Sequence, residues 1–113
     1  MIKNTRKSAI IAKNSVCIDD NFSKFIGLMF SRRQDKALIF KFNKEKIISL
    51  HMIFVFYPID VLFLNKNKIV VEMKENFKPF SFYNPKNKAK YIIELPERAI
   101  KKSNTKIKDK IEF

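Results

Sequence analysis

From residue 37 onward the chain is a series of short apolar segments divided by polar connections. No segment exceeds seven residues, and several alternate apolar and polar side chains with a period of two. Strands have this length and period, whereas an amphipathic helix needs apolar residues three or four apart over a longer stretch. The segments predicted as strands are ALIFKF (37–42), IISLHM (47–52), IDVLFLN (59–65), IVVEMKE (69–75) and YIIEL (91–95).

The polar connections between these segments favour turns. NKEK (43–46) and NKNK (65–68) suit tight hairpins, because asparagine tolerates the left-handed φ that glycine would otherwise supply. A bend is expected at Tyr57-Pro58, since proline is tolerated at the first residue of a strand. The stretch 76–88 predicts a longer connection that is both polar and aromatic.

The two ends of the chain predict the remaining elements. Residues 1–7 are polar and are expected to form a flexible terminus, whereas SAIIAKNSVCI (8–18) predicts strand material around a turn-like Lys-Asn centre. Apolar residues at helical spacing predict a short helix in NFSKFIGLMF (21–30). A second short helix is predicted in PERAIKKSN (96–104), because proline and glutamate are common in a first helical turn. KIKDKIEF (107–113) predicts a closing strand.

Together these segments predict a mainly β protein with one or two short helices. The strands are closely spaced and no long helix crosses between them, so a β-sandwich of jelly-roll-like type or a partly open barrel is favoured over a doubly wound sheet. A chain of 113 residues fits one domain. The predicted organisation is therefore a flexible terminus at 1–7 and a single compact β-rich domain over 8–113.

The apolar run at 47–64 approaches the length of a membrane-spanning helix. It contains Pro58 and Asp60, however, and a carboxylate in the middle of a bilayer is energetically costly. Two buried strands joined near Tyr57-Pro58 explain the run without that cost, so no membrane insertion is predicted. The single cysteine, Cys17, excludes an internal disulfide and is consistent with the reducing cytoplasm, which is the expected location.

The formal net charge of +13 indicates affinity for polyanions. Lysine supplies 20 of the 24 basic residues, and lysine is weaker evidence than arginine for specific nucleic-acid recognition. The abundance of Lys, Ile, Asn and Phe is also expected of an A+T-rich coding sequence, so codon bias is an alternative origin of the charge. The candidate nucleic-acid contacts lie at predicted turns and near the C-terminus: Lys66, Lys68, Lys86, Lys88, Lys101 and Lys102.

Four aromatic residues lie in the predicted connection at 76–88. One interpretation is that they stack on the bases of a single strand, as aromatic side chains do in single-strand binders. The other is that they close one end of the hydrophobic core beneath a long loop. These residues are Phe77, Phe80, Phe82 and Tyr83.

A set of motifs, in order along residues 16–113, resembles the uncharacterised family numbered 192 among domains of unknown function. The motifs are GLMF (27–30), ALIF (37–40), HM (51–52), PIDVLFLN (58–65), YIIELP (91–96) and IKDKIEF (107–113). The resemblance implies a compact, mainly β sandwich or jelly-roll-like fold with short helices, and it implies no activity. It does imply matching positions, which are Gly27, Leu28, Met29, Met52, Pro58, Asp60, Phe63, Glu94, Leu95, Pro96 and Asp109.

The chain departs from the family pattern at two places. Many members of the family have Trp-Met-Lys-Asn-Thr where this chain has HMIFV (51–55), so the polar part of that segment is missing. The Gly-Asp pair that precedes the last strand in the family is Lys108-Asp109 here. Both departures weaken any inference from the family at those positions.

Asp60 is the only carboxylate in the apolar run, and a buried carboxylate needs hydrogen bonds or a cation. In one interpretation Asp60 has a structural role and binds nearby backbone amides or a lysine. In the other it lines a pocket in which His51 and Glu94 supply further acid-base groups beside the apolar Met52. For Glu94 the alternative interpretation is a solvated or ion-paired strand residue. For His51 it is a structural residue whose hydrogen bonds are satisfied. The candidate pocket consists of Gly27, Met29, His51, Met52, Pro58, Asp60 and Glu94.

Three functions follow from these candidates. The first is a ligand-binding or accessory module with a pocket for an unknown small ligand near Met52, Asp60 and Glu94. The alternative is non-specific nucleic-acid binding through the lysine-rich surface, and the third is a hydrolase built on the carboxylates. No metal site or cofactor is predicted, because the chain has one histidine and one glycine, too few for a multi-histidine site or a glycine-rich phosphate loop. The residues predict neither a reaction nor an oligomeric state.

Overall fold

A computed structural model describes residues 1–18, 37–51 and 57–113. Within these ranges the backbone is mainly β, with one short helix, α1 (Ala99–Ser103). This confirms the predicted fold class. The strands are β1 (Ile2–Asn4), β2 (Ala9–Ala12), β3 (Ser15–Ile18), β4 (Ala37–Lys46), β5 (Leu50–His51), β6 (Ile59–Leu64), β7 (Val70–Phe77), β8 (Phe82–Tyr83), β9 (Ala89–Pro96) and β10 (Ile111–Glu112).

The central element is a five-stranded sheet with the order β3-β4-β9-β6-β7. Its described pairs are antiparallel except for β3 and β4, which run parallel. The sheet has two edge strands, β3 and β7, so these strands form an open sheet and not a closed barrel. The apolar run that could have been mistaken for a membrane span contributes β6, in which all six residues are buried.

The two faces of the central sheet are covered by different elements, as expected when a strand is apolar on both sides. One face presents Leu62 and Ile93 to a core formed with Ile2, Ile100 and Ile111. These last three residues belong to α1 and to a second sheet with the order β10-β1-β2. The second sheet and the helix therefore form a layer over this face.

The opposite face of the central sheet carries a second hydrophobic cluster. Val61, Phe63 and Ile92 are buried there, and the partly buried Leu50 and Tyr83 pack against them. Leu50 and Tyr83 are paired between β5 and β8, which form a two-stranded sheet of their own. The described chain is thus layered on both sides of the central sheet. None of its helices has the length and apolarity to cross a bilayer.

The structure differs from the sequence predictions at both ends of the chain. Residues 1–7, predicted as a flexible terminus, contain β1, which lies between β2 and β10 and buries Ile2 and Asn4 completely. Asn4 is polar and therefore fits a predicted exposed terminus. The hydrogen-bond partners of its side chain, however, are distant in sequence. The helix predicted at 96–104 begins only at Ala99, because Pro96 still belongs to β9 and Arg98 has a left-handed φ of 72°.

The two predicted hairpin turns have opposite outcomes. NKEK (43–46) is not a turn, since β4 continues through it to Lys46 after a shift in its register against β9. NKNK (65–68) is a turn, and it joins β6 to β7. Lys68 adopts the left-handed φ of 61°, while the Asn65 side chain accepts hydrogen bonds from the backbone of Asn67 and Ile69. Asparagine therefore closes this turn through its side chain. The predicted helix at 21–30 lies outside the described residues.

Candidate functional site

Asp60 is a buried carboxylate at the start of β6, with 1% of its surface exposed. Its Oδ1 accepts a hydrogen bond of 3.0 Å from the backbone N–H of Asn76, and its Oδ2 accepts one of 3.0 Å from the backbone N–H of Ile100. One carboxylate therefore ties β6 to β7 and to the first turn of α1. Of the two interpretations of Asp60 drawn from the sequence, this geometry supports the one in which it binds backbone amides.

The strand register separates Asp60 from Glu94. In the pairing of β6 with β9, Asp60 is opposite Leu95 and Val61 is opposite Glu94. Directly opposed residues share a face of a sheet and successive residues alternate, so Asp60 and Glu94 lie on opposite faces. Both are buried, at 1% and 7% exposure, but in different layers. The geometry does not bring these two carboxylates into one cavity.

The other predicted pocket residues are largely outside what the structure describes. Gly27, Met29 and Met52 lie outside the described residues, as does the side chain of His51. The backbone of His51, in β5, pairs with Phe82 of β8. Pro58 is half-buried and precedes β6. A surface groove does exist beside β1 and β2, but it contains none of the predicted pocket residues. This groove is lined by Lys3, Asn4, Thr5, Ser8, Ala9 and Ile10.

Four of the six predicted nucleic-acid contacts come together at one end of the central sheet. At this end Leu64, the last residue of β6, is opposite Tyr91 of β9, and Lys46, the last residue of β4, is opposite Ala89. The turn after β6 also touches the end of β4, because the backbone N–H of Lys66 donates to Glu45 Oε2 at 2.8 Å. We call the lysines carried by these three segments the lysine end: Lys44, Lys46, Lys66, Lys68, Lys86 and Lys88.

The lysines of the lysine end differ in their contacts and in their exposure. Lys68 is already engaged, because its Nζ donates to the carbonyl of Phe113 at 3.2 Å and lies 4.0 Å from the centroid of that ring. Lys66, Lys86 and Lys88 are exposed on loops. The remaining two predicted contacts, Lys101 and Lys102, follow Ile100, whose backbone binds Asp60 at the opposite end of β6. They are therefore separate from the lysine end.

A half-buried glutamate fixes the loop that carries Lys86 and Lys88. Glu72 Oε1 accepts hydrogen bonds of 3.0 Å from the backbone N–H groups of Lys86 and Asn87 and from the Asn87 side chain. The Tyr83 hydroxyl donates to the other oxygen, Glu72 Oε2. No feature of the sequence singles out Glu72, since the alternating pattern of its strand predicts only a solvated position. The loop is thus held against β7.

The protonation states of Glu72 and Tyr83 favour the hydrogen bond between them. Burial raises the pKa of Glu72, but the hydrogen bonds from Tyr83, Asn87 and Lys86 outweigh burial and lower it below 4.5. Burial, together with the hydrogen bond to Glu72 and its negative charge, raises the pKa of Tyr83 to about 12. At neutral pH the carboxylate is charged and the phenol keeps its proton, as the hydrogen bond between them requires.

A second buried carboxylate, Asp109, holds the N-terminal strand to the segment after α1. Asp109 is 1% exposed, and its Oδ2 accepts hydrogen bonds of 2.9 Å from Asn4 Nδ2 and from the backbone N–H of Lys106. Asn4 Nδ2 also donates to the hydroxyl of Thr105 at 3.0 Å. The positive charges of Arg6 and Lys7 lie 3.7 and 3.9 Å from the carboxylate. The resemblance implies Asp109 as a matching position, but no pattern in the sequence indicates its partner Asn4.

Comparison with known proteins places the chain among uncharacterised relatives. The family model DUF192, described as "Uncharacterized ACR", matches residues 3–113. The chain is 44% identical over 97 residues to a UPF0127 protein of Pyrococcus furiosus, covering 83% of this chain and 82% of that protein. It is also 36% identical over 115 residues to a UPF0127 protein of Thermococcus sibiricus, covering 100% of this chain and 74% of the relative.

Two solved structures have a similar fold. A protein of unknown function from Novosphingobium aromaticivorans superposes with a TM-score of 0.76 at 19% identity, over 88% of this chain and 74% of that one. A provisionally assigned transcription regulator from Sinorhizobium meliloti gives a TM-score of 0.77 at 22% identity, over 87% of this chain and 79% of that one. At these identities the likeness concerns the fold alone.

Proposed function

Because the chain belongs to the DUF192 family, whose members are described as uncharacterised, we propose its function from its own geometry: it is a binding module that holds nucleic acid by the phosphate backbone at the lysine end. The observation that carries this proposal is the convergence of lysines from three separate segments at one end of the central sheet. Lysines opposite phosphates release condensed counterions, which supplies most of the affinity of non-specific binding.

The charge distribution at this end supports a polyanionic partner. Two glutamates, Glu45 and Glu72, accept hydrogen bonds from backbone N–H groups of the loops that carry the lysine end. They are therefore used to hold the loops in place, while Lys66 and Lys88 are exposed. Such a surface suits phosphate groups, which need a positive charge but no particular base sequence.

The proposal ranks above the small-ligand pocket for a geometric reason. A pocket built on Asp60 and Glu94 needs both carboxylates on one face, and the register of β6 and β9 places them on opposite faces. A hydrolase that uses Asp60 as its acid or base meets a further obstacle, because each oxygen of that buried carboxylate already accepts a backbone hydrogen bond. The lysine end depends on neither residue.

Removing two lysines from the lysine end is expected to weaken binding and to lower its salt dependence. The variant is Lys66→Gln with Lys88→Gln, and the measurement is fluorescence anisotropy of labelled single-stranded and duplex oligonucleotides at several salt concentrations. If each lysine meets one phosphate, the slope of log K against log salt falls by about 1.4 for single strands, which at about 0.1 M salt corresponds to roughly 25-fold weaker binding.

The matched control is the double variant Lys101→Gln with Lys102→Gln, which removes the same charge from the α1 end of the molecule. The control is expected to retain the wild-type slope and nearly all of the affinity. Equal losses in the two variants would mean that total charge matters and that no specific end is used, which contradicts the proposal. Absence of binding by the wild-type protein even at low salt would also reject it.

A further inference from the structure

Two exposed phenylalanines lie in the connection between β7 and the loop that carries Lys86 and Lys88. Phe80 and Phe82 are 64% and 72% exposed, the two highest values among the large hydrophobic side chains described as exposed, and the others in that set are not aromatic. Apolar side chains so close in sequence and so exposed are typical of a binding surface. The four aromatic residues of this connection thus divide into two sets, since Phe77 is buried and Tyr83 is half-buried.

The backbone turns Phe82 away from the core. Neighbouring residues of a strand point to opposite faces, and Phe82 and Tyr83 are consecutive in β8. The Tyr83 ring packs inward, with its centroid 5.7 Å from that of Phe63 and 6.2 Å from that of Phe77. Phe82 therefore faces outward while the residue after it anchors the strand. In the preceding turn, the Ser81 hydroxyl donates to the carbonyl of Lys78 beside Phe80.

Lysines precede and follow these two phenylalanines in the chain. Lys78 is exposed two residues before Phe80, and the ammonium group of Lys74 lies 5.7 Å from the centroid of the ring of Tyr83, the residue after Phe82. Lys86 follows Phe82 by four residues, so the two Cα atoms are at most about 14 Å apart. A short oligonucleotide could therefore contact the rings and the lysine end together.

We infer that Phe80 and Phe82 are stacking platforms for the unpaired bases of single-stranded nucleic acid whose phosphates lie on the lysine end. This inference rests on the proposed function and deepens it by naming the class of nucleic acid. Bases stack on exposed aromatic rings irrespective of sequence. In a duplex the base faces are covered by neighbouring pairs, so the rings favour single strands over duplexes.

The absence of tryptophan from the chain makes a direct test available. Phe82→Trp places one fluorophore at the platform, and its emission is expected to be quenched on addition of unlabelled single-stranded DNA or RNA of the same sequence. Comparison of the two oligonucleotides shows which backbone is preferred. The matched control, Ile10→Trp, carries its fluorophore at an exposed position of β2 (51% exposed) and is expected to show no quenching.

The second variant is Phe82→Leu, which keeps an apolar side chain but removes the ring. It is expected to bind single strands about tenfold more weakly with an unchanged salt slope, and to bind duplex as the wild type does. Salt-sensitive binding without quenching in Phe82→Trp and without loss in Phe82→Leu overturns the stacking inference while the proposed function stands. Failure of the wild type to bind any oligonucleotide rejects both. Self-association of the wild type that Phe82→Leu abolishes assigns the rings to a contact between copies of the chain and also overturns the inference.

Discussion

Asp60→Asn is expected to lower the free energy of unfolding by about 3 kcal/mol. In the native protein one carboxylate oxygen accepts from the backbone N–H of Asn76 and the other from that of Ile100. An asparagine side chain has only one acceptor oxygen, so its NH₂ group must face one of these two N–H donors. The substitution therefore loses a charge-assisted hydrogen bond and leaves a backbone N–H donor facing an NH₂ group, at a side chain that is only 1% exposed.

Urea denaturation followed by circular dichroism measures this change, and the folded baseline shows whether the variant keeps its strand content. Glu75→Gln is the matched control, because it makes the same chemical change at an exposed position of β7 and is expected to alter the unfolding free energy by less than about 0.5 kcal/mol. An Asp60→Asn protein as stable as the control would contradict the structural role and return Asp60 to the functional candidates.

The elements of the fold were largely predictable because they depend on local pattern. The run IDVLFLN predicted β6 within one residue, and NKNK predicted the turn that follows it. YIIEL likewise marked the middle of β9. In each case the apolar spacing or the turn chemistry that fixes the backbone lies within a few residues of the element it determines.

The candidate site was less predictable because it depends on register between distant strands. Nothing near Asp60 or Glu94 indicates whether the pairing of β6 with β9 places them on the same face, and a shift by one residue would reverse the answer. The gathering of Lys46, Lys66 and Lys88 likewise follows from strand order and not from their spacing in the sequence.

The contacts of the polar N-terminal residues were likewise not predictable from the local sequence pattern. Asn4 lies in a polar segment that predicts a flexible end, yet its side chain donates hydrogen bonds to Thr105 and Asp109 near the other end of the chain. A polar residue can be buried when a partner satisfies its hydrogen bonds, and here those partners are about a hundred residues away. Local hydrophobicity therefore predicts the core but not the polar contacts that join its layers.

Asp109→Ala is expected to cost about 4 kcal/mol of unfolding free energy at neutral pH, a larger loss than Asp60→Asn. It removes the acceptor for both Asn4 Nδ2 and the backbone N–H of Lys106, and bonds to a charged acceptor contribute about 1.5 to 3 kcal/mol each. Asp109→Asn is expected to cost less, about 1 to 2 kcal/mol, because both donors bind the same oxygen, Oδ2, and an amide oxygen can replace it.

The pH dependence of stability separates the contribution of the Asp109 charge from that of its hydrogen bonds. Burial raises the pKa of Asp109, but the hydrogen bonds from Asn4 and Lys106 and the charges of Lys7 and Arg6 outweigh burial and lower it below 3.8. A carboxyl whose pKa is lower in the folded state stabilises the fold fully above its unfolded pKa and loses that contribution as pH falls through the folded value. The stability advantage of the wild type over Asp109→Asn is therefore expected to shrink below about pH 4, as measured by urea denaturation at a series of pH values.

Glu97→Gln is the control for this pH series, because Glu97 is an exposed carboxylate near the same helix. Its stability relative to the wild type is expected to change little over the acidic range, since the Asp109 cluster is intact in both proteins. If the difference between wild type and Asp109→Asn stayed constant from neutral pH to pH 2, the charge of Asp109 would contribute nothing, and the cluster would be held by neutral hydrogen bonds alone. A shrinking difference instead identifies the ionised carboxylate as the group that joins β1 to the segment after α1, and makes the docking of the N-terminal strand an acid-sensitive contact of the fold.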